Sequence, residues 1–154
     1  MAKGYWLMKS EEAVYSIRDM ERDGTTYWEG VRNYEARNLM RDQMKVGDSA
    51  FFYHSNAKPP GVVGIVRISK RAYPDHLAFD KKNPYFDPKS DPDNPRWVMV
   101  DVEFVEAFPE IVALNEIKAR PELSEMALFK RARLSVQPVT KEEFQIIWKM
   151  GRKR

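Results

Sequence analysis

The sequence predicts an α+β domain, a mixed sheet or small barrel of about five or six strands with short helices on its flanks. Three observations point there. β-rich runs follow one another through short turns as well as through helices, whereas a doubly wound parallel sheet needs regular alternation. The run "RWVMVDVEFVEAF" sets Val98, Val100, Val102 and Phe104 against Trp97, Met99, Asp101 and Glu103, the two-residue period of a half-buried strand. The chain has 154 residues, 43% of them hydrophobic, which is the length of one ordinary domain with a real core and no charge excess of the kind that produces disorder. Residues 1–150 are read as that domain and 151–154 as a basic tail.

The elements follow in order. "GYWLMK" (Gly4 to Lys9) is an apolar run of strand length. Ser10 then reads as an N-cap, with Glu11 and Glu12 in a first turn where the helix dipole favours carboxylates. A helix from about Glu11 to Arg22 is expected, burying Val14, Ile17 and Met20, with Gly24 as its stop. Asn33 caps a second helix whose Ala36, Leu39 and Met40 face inward. After "VGD", the runs "SAFFYHS" and "GVVGIVRIS" are two adjacent strands joined by "NAKPPG". "DKKNPYFDPKSDPDNP", Asp80 to Pro95, is too rich in proline for helix or central strand and reads as a loop. Helical patterns return at Leu114 to Ala119 and around Leu123 to Phe129, and "RLSVQPV" is a short strand ended by Pro138. Thr140 and Glu143 form a capping box for a last helix that buries Phe144, Ile147 and Trp148 and stops at Gly151.

Composition narrows the chemistry. A formal charge of +3 and a pI near 9.0 suit an anionic partner without requiring one. With no cysteine, disulfides, thiolate metal sites and cysteine nucleophiles are excluded, and a reducing compartment fits best. No stretch has signal-peptide or bilayer-spanning length, so a soluble intracellular protein with no membrane partner is expected. Neither Gly-x-Gly-x-x-Gly nor a phosphate loop occurs, so no nucleotide cofactor of those kinds is implied. The two histidines, His54 and His76, lack a paired ligand spacing. The Asp87, Asp91, Asp93 loop lacks the glycine and terminal glutamate of a calcium site. No cofactor, no metal and no catalytic residue are expected.

"YWEGVRNYEARNLM", Tyr27 to Met40, repeats Arg-Asn at Arg32-Asn33 and Arg37-Asn38, which helical periodicity does not need. Trp28 lies outside any periodic pattern, in a connection, and reads as a stacking platform rather than core. Arg32, Arg37 and Arg41, with Lys130, Arg131 and Arg133 from "FKRAR", can follow a phosphate backbone while Asn and Ser side chains read base edges. A solvated charged helix face is the plainer reading of the same residues. His54-Ser55-Asn56 ends a strand before a Pro-Gly loop, where side chains can converge on a ligand. Adjacent strand residues point to opposite faces, so His54 and Ser55 are badly placed to act as base and nucleophile.

The blocks "YWLMKSEE", "YWEGVRNYEARNLM", "GDSAFFYHSN", "GVVGIV", "RWVMVDVEF" and "RLSVQPVTKEEF", in this order and over nearly the whole chain, resemble the EVE domain family. That family has a PUA-like fold and is similar to the YTH domains, which hold a methylated RNA base in an aromatic cage. The resemblance implies a non-catalytic reader of a modified base, with modified cytosine in DNA the leading ligand and a modified RNA base the other. Lys9, Ser10, Glu11, Trp28, Asn33, Asn38, His54, Ser55 and Asn56 are then the expected base-binding residues, and the basic residues named above the backbone contacts. Where the family commonly has Lys-Ser-Glu-Pro, this chain has Lys9-Ser10-Glu11-Glu12. A small PUA-like ribonuclease or base-processing hydrolase using Lys9, Glu11 or His54, and a base-indifferent RNA-binding module, are the alternatives. The expected location is the bacterial cytosol or nucleoid, or the nucleus in a eukaryote.

Overall fold

The structure is a computed structural model that describes residues 3–152, so Lys153 and Arg154 of the basic tail lie outside the described residues. The strands are β1 (Tyr5–Glu11), β2 (Thr25–Trp28), β3 (Ser49–Ser55), β4 (Gly61–Pro74), β5 (Val98–Ala113) and β6 (Val136–Pro138). The helices are α1 (Ile17–Asp23), α2 (Tyr34–Asp42), α3 (Leu114–Lys118), α4 (Ala127–Lys130) and α5 (Lys141–Arg152). All six strands join one sheet in the order β2-β5-β4-β3-β1-β6. β1 and β3 run parallel and the other pairs antiparallel. The result is the expected α+β, PUA-like arrangement, with the sheet left open rather than closed into a barrel.

Both faces of the central strands are covered. Trp6 and Met8 of β1 and Phe52 of β3 enter one core with Met20 of α1, Met40 of α2 and Val100 of β5. Leu7, Phe51 and Tyr53, one residue out of phase, enter a second core with Phe108, Ile117 and Ile147. The strand period of two thus divides β1 and β3 between two cores. The turn before β3 is pinned by buried Asp48, which accepts hydrogen bonds from the Trp6 indole and the Gly4 backbone N–H, each at 2.9 Å.

The first helix starts later than expected. Ser10 and Glu11 stay in β1 because the parallel ladder carries on, placing Ser10 beside His54 and Glu11 beside Ser55; strand pairing outweighs the local cap signal. Ser16 is the N-cap instead, in a capping box with Asp19. Val14, expected inside, is 71% exposed. Trp28 is not in an irregular connection: "TTYW" forms β2, an edge strand against Val100 to Glu103 of β5.

Other local signals hold. Asn33 caps α2 through a hydrogen bond from the Ala36 N–H at 3.0 Å. Thr140 and Glu143 form their capping box at 3.1 and 2.9 Å. Gly151 does not end α5, which continues to Arg152. It is buried, and a Cβ there would lie 2.4 Å from the Phe108 ring. The glycine serves close packing rather than helix termination. Trp148 is only partly buried, its indole N–H donating to Glu106 at 2.9 Å.

Candidate functional site

β1 and β2 are separated by three strands in the sheet, yet both line one cleft of about 420 Å³. The sheet curls until these strands face each other, and the gap between them is the cleft. Lys9, Ser10 and Glu11 come from β1, and Thr26, Tyr27 and Trp28 from β2, followed by Glu29, Gly30 and Val31. Ser55 ends β3 at its floor, Tyr85 reaches in from the proline-rich loop, and Ala132, Arg133 and Ser135 close it ahead of β6.

Trp28 is both core and cleft wall. It is 8% exposed and meets the Phe52 ring edge-on at 5.5 Å, so the platform reading is corrected to a ring locked by core packing. Gly30 next to it has φ of +80° and donates its N–H to Asp75 Oδ2 at 2.8 Å. A Cβ at Gly30 would come within 2.7 Å of the Tyr85 ring; only glycine permits that ring to cover the backbone and form the rim. Tyr27, Tyr85 and Val14 leave apolar surface exposed at the mouth, the kind of surface that marks an interaction site.

The polar groups in the cleft retain bonding capacity. The Lys9 ammonium donates to the Ala132 carbonyl at 2.7 Å and lies 5.6 Å from the Tyr53 ring centre, which leaves further donors on the same nitrogen. Burial lowers its pKa from the ordinary lysine value. Ser10 donates to the Tyr15 carbonyl at 2.6 Å, leaving its oxygen as an acceptor. Burial pushes the Glu29 carboxyl up. The Tyr15 hydroxyl is pushed up to about 12, first by burial and then by its bond to Asp23. Arg133 is exposed and forms no ion pair among the described residues.

Several expected site residues stand elsewhere. Arg32 donates to buried Asp75 at 3.0 Å and to the Tyr85 carbonyl at 2.8 Å, its guanidinium 5.4 Å from both the Tyr85 and Trp97 rings. Arg37 donates to the Arg96 carbonyl at 2.9 Å and to Asn38 Oδ1 at 2.8 Å, over the Tyr34 ring. With Asn33 capping α2, the doubled Arg-Asn forms a clamp that fastens the long loop to that helix. Arg41 pairs with Asp42, Lys130 with Glu125 and Arg131 with Glu35. Asn56 is exposed, in a left-handed turn with φ of 51°.

His54 lines a different cleft, of about 520 Å³, together with Glu12, Ile17 and Phe108. Its Nε2 accepts the Ile17 backbone N–H at 3.0 Å, and its Nδ1 lies 3.4 Å from Glu12. Accepting at Nε2 requires the neutral imidazole with its proton on Nδ1. Burial lowers its pKa and Glu12 partly opposes that. His54 and Ser55 therefore serve separate clefts, as strand alternation requires. Glu12, which stands at the family's proline position, belongs to the His54 cleft and not to the first.

Among the described residues no group of three or more His, Asp or Glu side chains is placed to hold a metal ion. Asp87 of the acidic loop instead accepts from the Trp97 indole at 2.7 Å and from the Lys89 N–H at 2.9 Å. Sequence reasoning missed Glu29, Tyr27, Tyr85, Val14 and Ser135. Only the β-branched and aromatic run "TTYW" could have revealed β2 and so brought Tyr27 and Glu29 to a strand end.

The EVE domain matches residues 4–150. Human thymocyte nuclear protein 1 is 46% identical over 97% of this chain and 74% of its own length. A hypothetical protein from Leishmania major superposes with a TM-score of 0.94 at 49% identity, covering 97% of this chain and 95% of that one. The human THYN1 protein in complex with 5-methylcytosine-containing DNA superposes with a TM-score of 0.92 at 46% identity, covering 99% of each chain.

Proposed function

The chain belongs to the EVE domain family, and we propose that it binds DNA and reads modified cytosine, with the base seated in the cleft between β1 and β2. One observation on the chain carries this reading. The cleft joins the Trp28 ring, unused polar capacity at Lys9, Ser10, Ser55 and Glu29, and, at Arg133, a cation with no ion pair among the described residues. The choice of modified cytosine and of DNA follows the human relative bound to 5-methylcytosine-containing DNA.

A volume of about 420 Å³ falls within the usual range for small-ligand clefts. The aromatic wall offsets the stacking an extruded base loses, worth roughly 1 to 3 kcal/mol per base. The hydroxyl and charged groups meet its Watson-Crick edge, while Arg133 at the mouth meets phosphate. A 5-methyl group adds little apolar area, so discrimination against plain cytosine should be modest, on the order of 1 kcal/mol.

Binding is the whole activity in this reading. His54 is engaged with the α1 backbone and Ser55 faces the other cleft, which leaves Ser55 without the adjacent base that activates a nucleophile. The test is a panel of oligonucleotides differing at one cytosine, each single-stranded, mismatched and matched. The proposal expects tighter binding to the modified base, tightest where flipping costs least, and no product by mass spectrometry. Affinity indifferent to the modification, or turnover of the oligonucleotide, would overturn it.

A further inference from the structure

We propose that Glu29 selects for an amino-bearing base: its carboxylate accepts the 4-amino hydrogen of the seated cytosine and turns away thymine. Thymine has the same 5-methyl group as 5-methylcytosine and differs at position 4, where it carries a carbonyl. A pocket that sensed only the methyl group would take both. This inference rests on the reading of the cleft given above and names the group that separates the two bases.

The mount of Glu29 is fixed on both sides. Trp28 before it pairs with Val100 in the sheet, and Gly30 after it is bonded to buried Asp75. Glu29 is half-buried, lines the cleft and forms no ion pair among the described residues. No N–H or O–H of another residue is bonded to its side chain among the described residues. Burial disfavours the bare charge there, so a donor from a ligand is favoured.

The composition of the cleft sharpens the assignment. No Asn or Gln lines it, and an amide is the side chain that can turn to offer either a donor or an acceptor. An ionised carboxylate only accepts. Pairing with the cytosine amino group is a natural use of Glu, whereas the thymine carbonyl sets acceptor against acceptor. Glu11, the other lining carboxylate, is exposed, where water weakens such discrimination. Lys9 on the β1 wall keeps donors for the ring nitrogen and carbonyl of cytosine.

The experiment measures fluorescence anisotropy at pH 7.5 on single-stranded oligonucleotides identical but for 5-methylcytosine, cytosine, thymine or uracil at one position. The wild type should prefer 5-methylcytosine to thymine, and cytosine to uracil, by about tenfold or more. Glu29→Gln, which can bond either base, should bring both ratios to within about twofold. Wild type that takes 5-methylcytosine and thymine alike, or an E29Q variant that keeps the ratios, overturns the role of Glu29 while the modified-cytosine reading stands. Failure of every oligonucleotide to bind removes that reading and this one together. Should E29Q fail to fold by circular dichroism, Glu29→Asp decides: withdrawing the carboxylate by one methylene should lower affinity for 5-methylcytosine, and unchanged affinity overturns the proposal.

Discussion

The clamp on α2 and the cleft between β1 and β2 both set polar and charged side chains beside aromatic rings, to opposite ends. In the clamp, Arg32, Arg37 and Asn33 direct their hydrogen bonds to Asp75, to backbone carbonyls and to a helix terminus. In the cleft, Lys9, Ser10 and Glu29 keep capacity in hand, and Arg133 has no ion-pair partner among the described residues. A repeated polar motif therefore marks architecture here. The cleft proposed to face the ligand is marked by polar groups with bonds still to make.

The largest test of that contrast is Arg32→Ala. It leaves the fully buried Asp75 carboxylate without its cation, a loss of roughly 3 to 5 kcal/mol. The melting temperature should fall by about 10 °C or more. A variant that melts like the wild type and loses only DNA binding would erase the distinction between clamp and cleft.

Trp28→Ala should cost a similar or slightly smaller amount, about 3 kcal/mol or more, because the ring is packed against Phe52. Trp28→Phe keeps most of the burial and so isolates the cleft. It should melt within a few degrees of wild type while binding modified oligonucleotides more weakly. Equal binding by the Phe variant would place the base away from that wall.

Arg133→Glu sharpens the comparison from the cleft side. The side chain is exposed and has no ion pair among the described residues, so the melting curve should not move. Affinity should drop about equally for modified and unmodified DNA, with the slope of log affinity against log salt smaller by about one. Arg131→Glu differs in also breaking the pair with Glu35, an exposed contact worth at most about 1 kcal/mol.

The smallest effect concerns the other cleft. His54 is held below its ordinary pKa of 6.5 by burial, so the unfolded chain binds this proton more readily than the folded one. Its contribution is complete above pH 6.5 and declines as pH falls through the folded-state value. Protonation also removes the acceptor for the Ile17 N–H. Melting temperature should decline between about pH 7 and 5 with a steeper slope than in His54→Gln, and parallel slopes would show that His54 does not titrate in that range.

Local signals in the sequence were sufficient where the chain's own neighbours decide the outcome. The Asn33 cap, the Thr140 to Glu143 box and the alternation from Val98 to Phe104 are all present. They failed where a distant strand decides. Ser10 is diverted from a cap by pairing near His54, and Thr25 to Trp28 become a strand because β5 offers an edge. For the cleft, Trp28, Ser55 and Arg133 could be named from the residues themselves and Lys9, Ser10 and Glu11 through the family resemblance, and all six line it. Glu29 and Tyr85 could not, since nothing local tells that a sheet will bend until β2 meets β1, or that a glycine will admit a ring from a loop more than fifty residues away.

That unclosed seam bears on motion. β2 is a four-residue edge strand with one ladder partner, and an edge of that kind opens at lower free energy than the centre of a sheet. A molecule that bridges β1 and β2 supplies the cross-tie the backbone lacks. Amide hydrogen exchange would register it as slower exchange in Thr25 to Gly30 and in the last residues of β1, with the β3-β4 hairpin unchanged, so occupancy of the cleft becomes readable from the backbone alone.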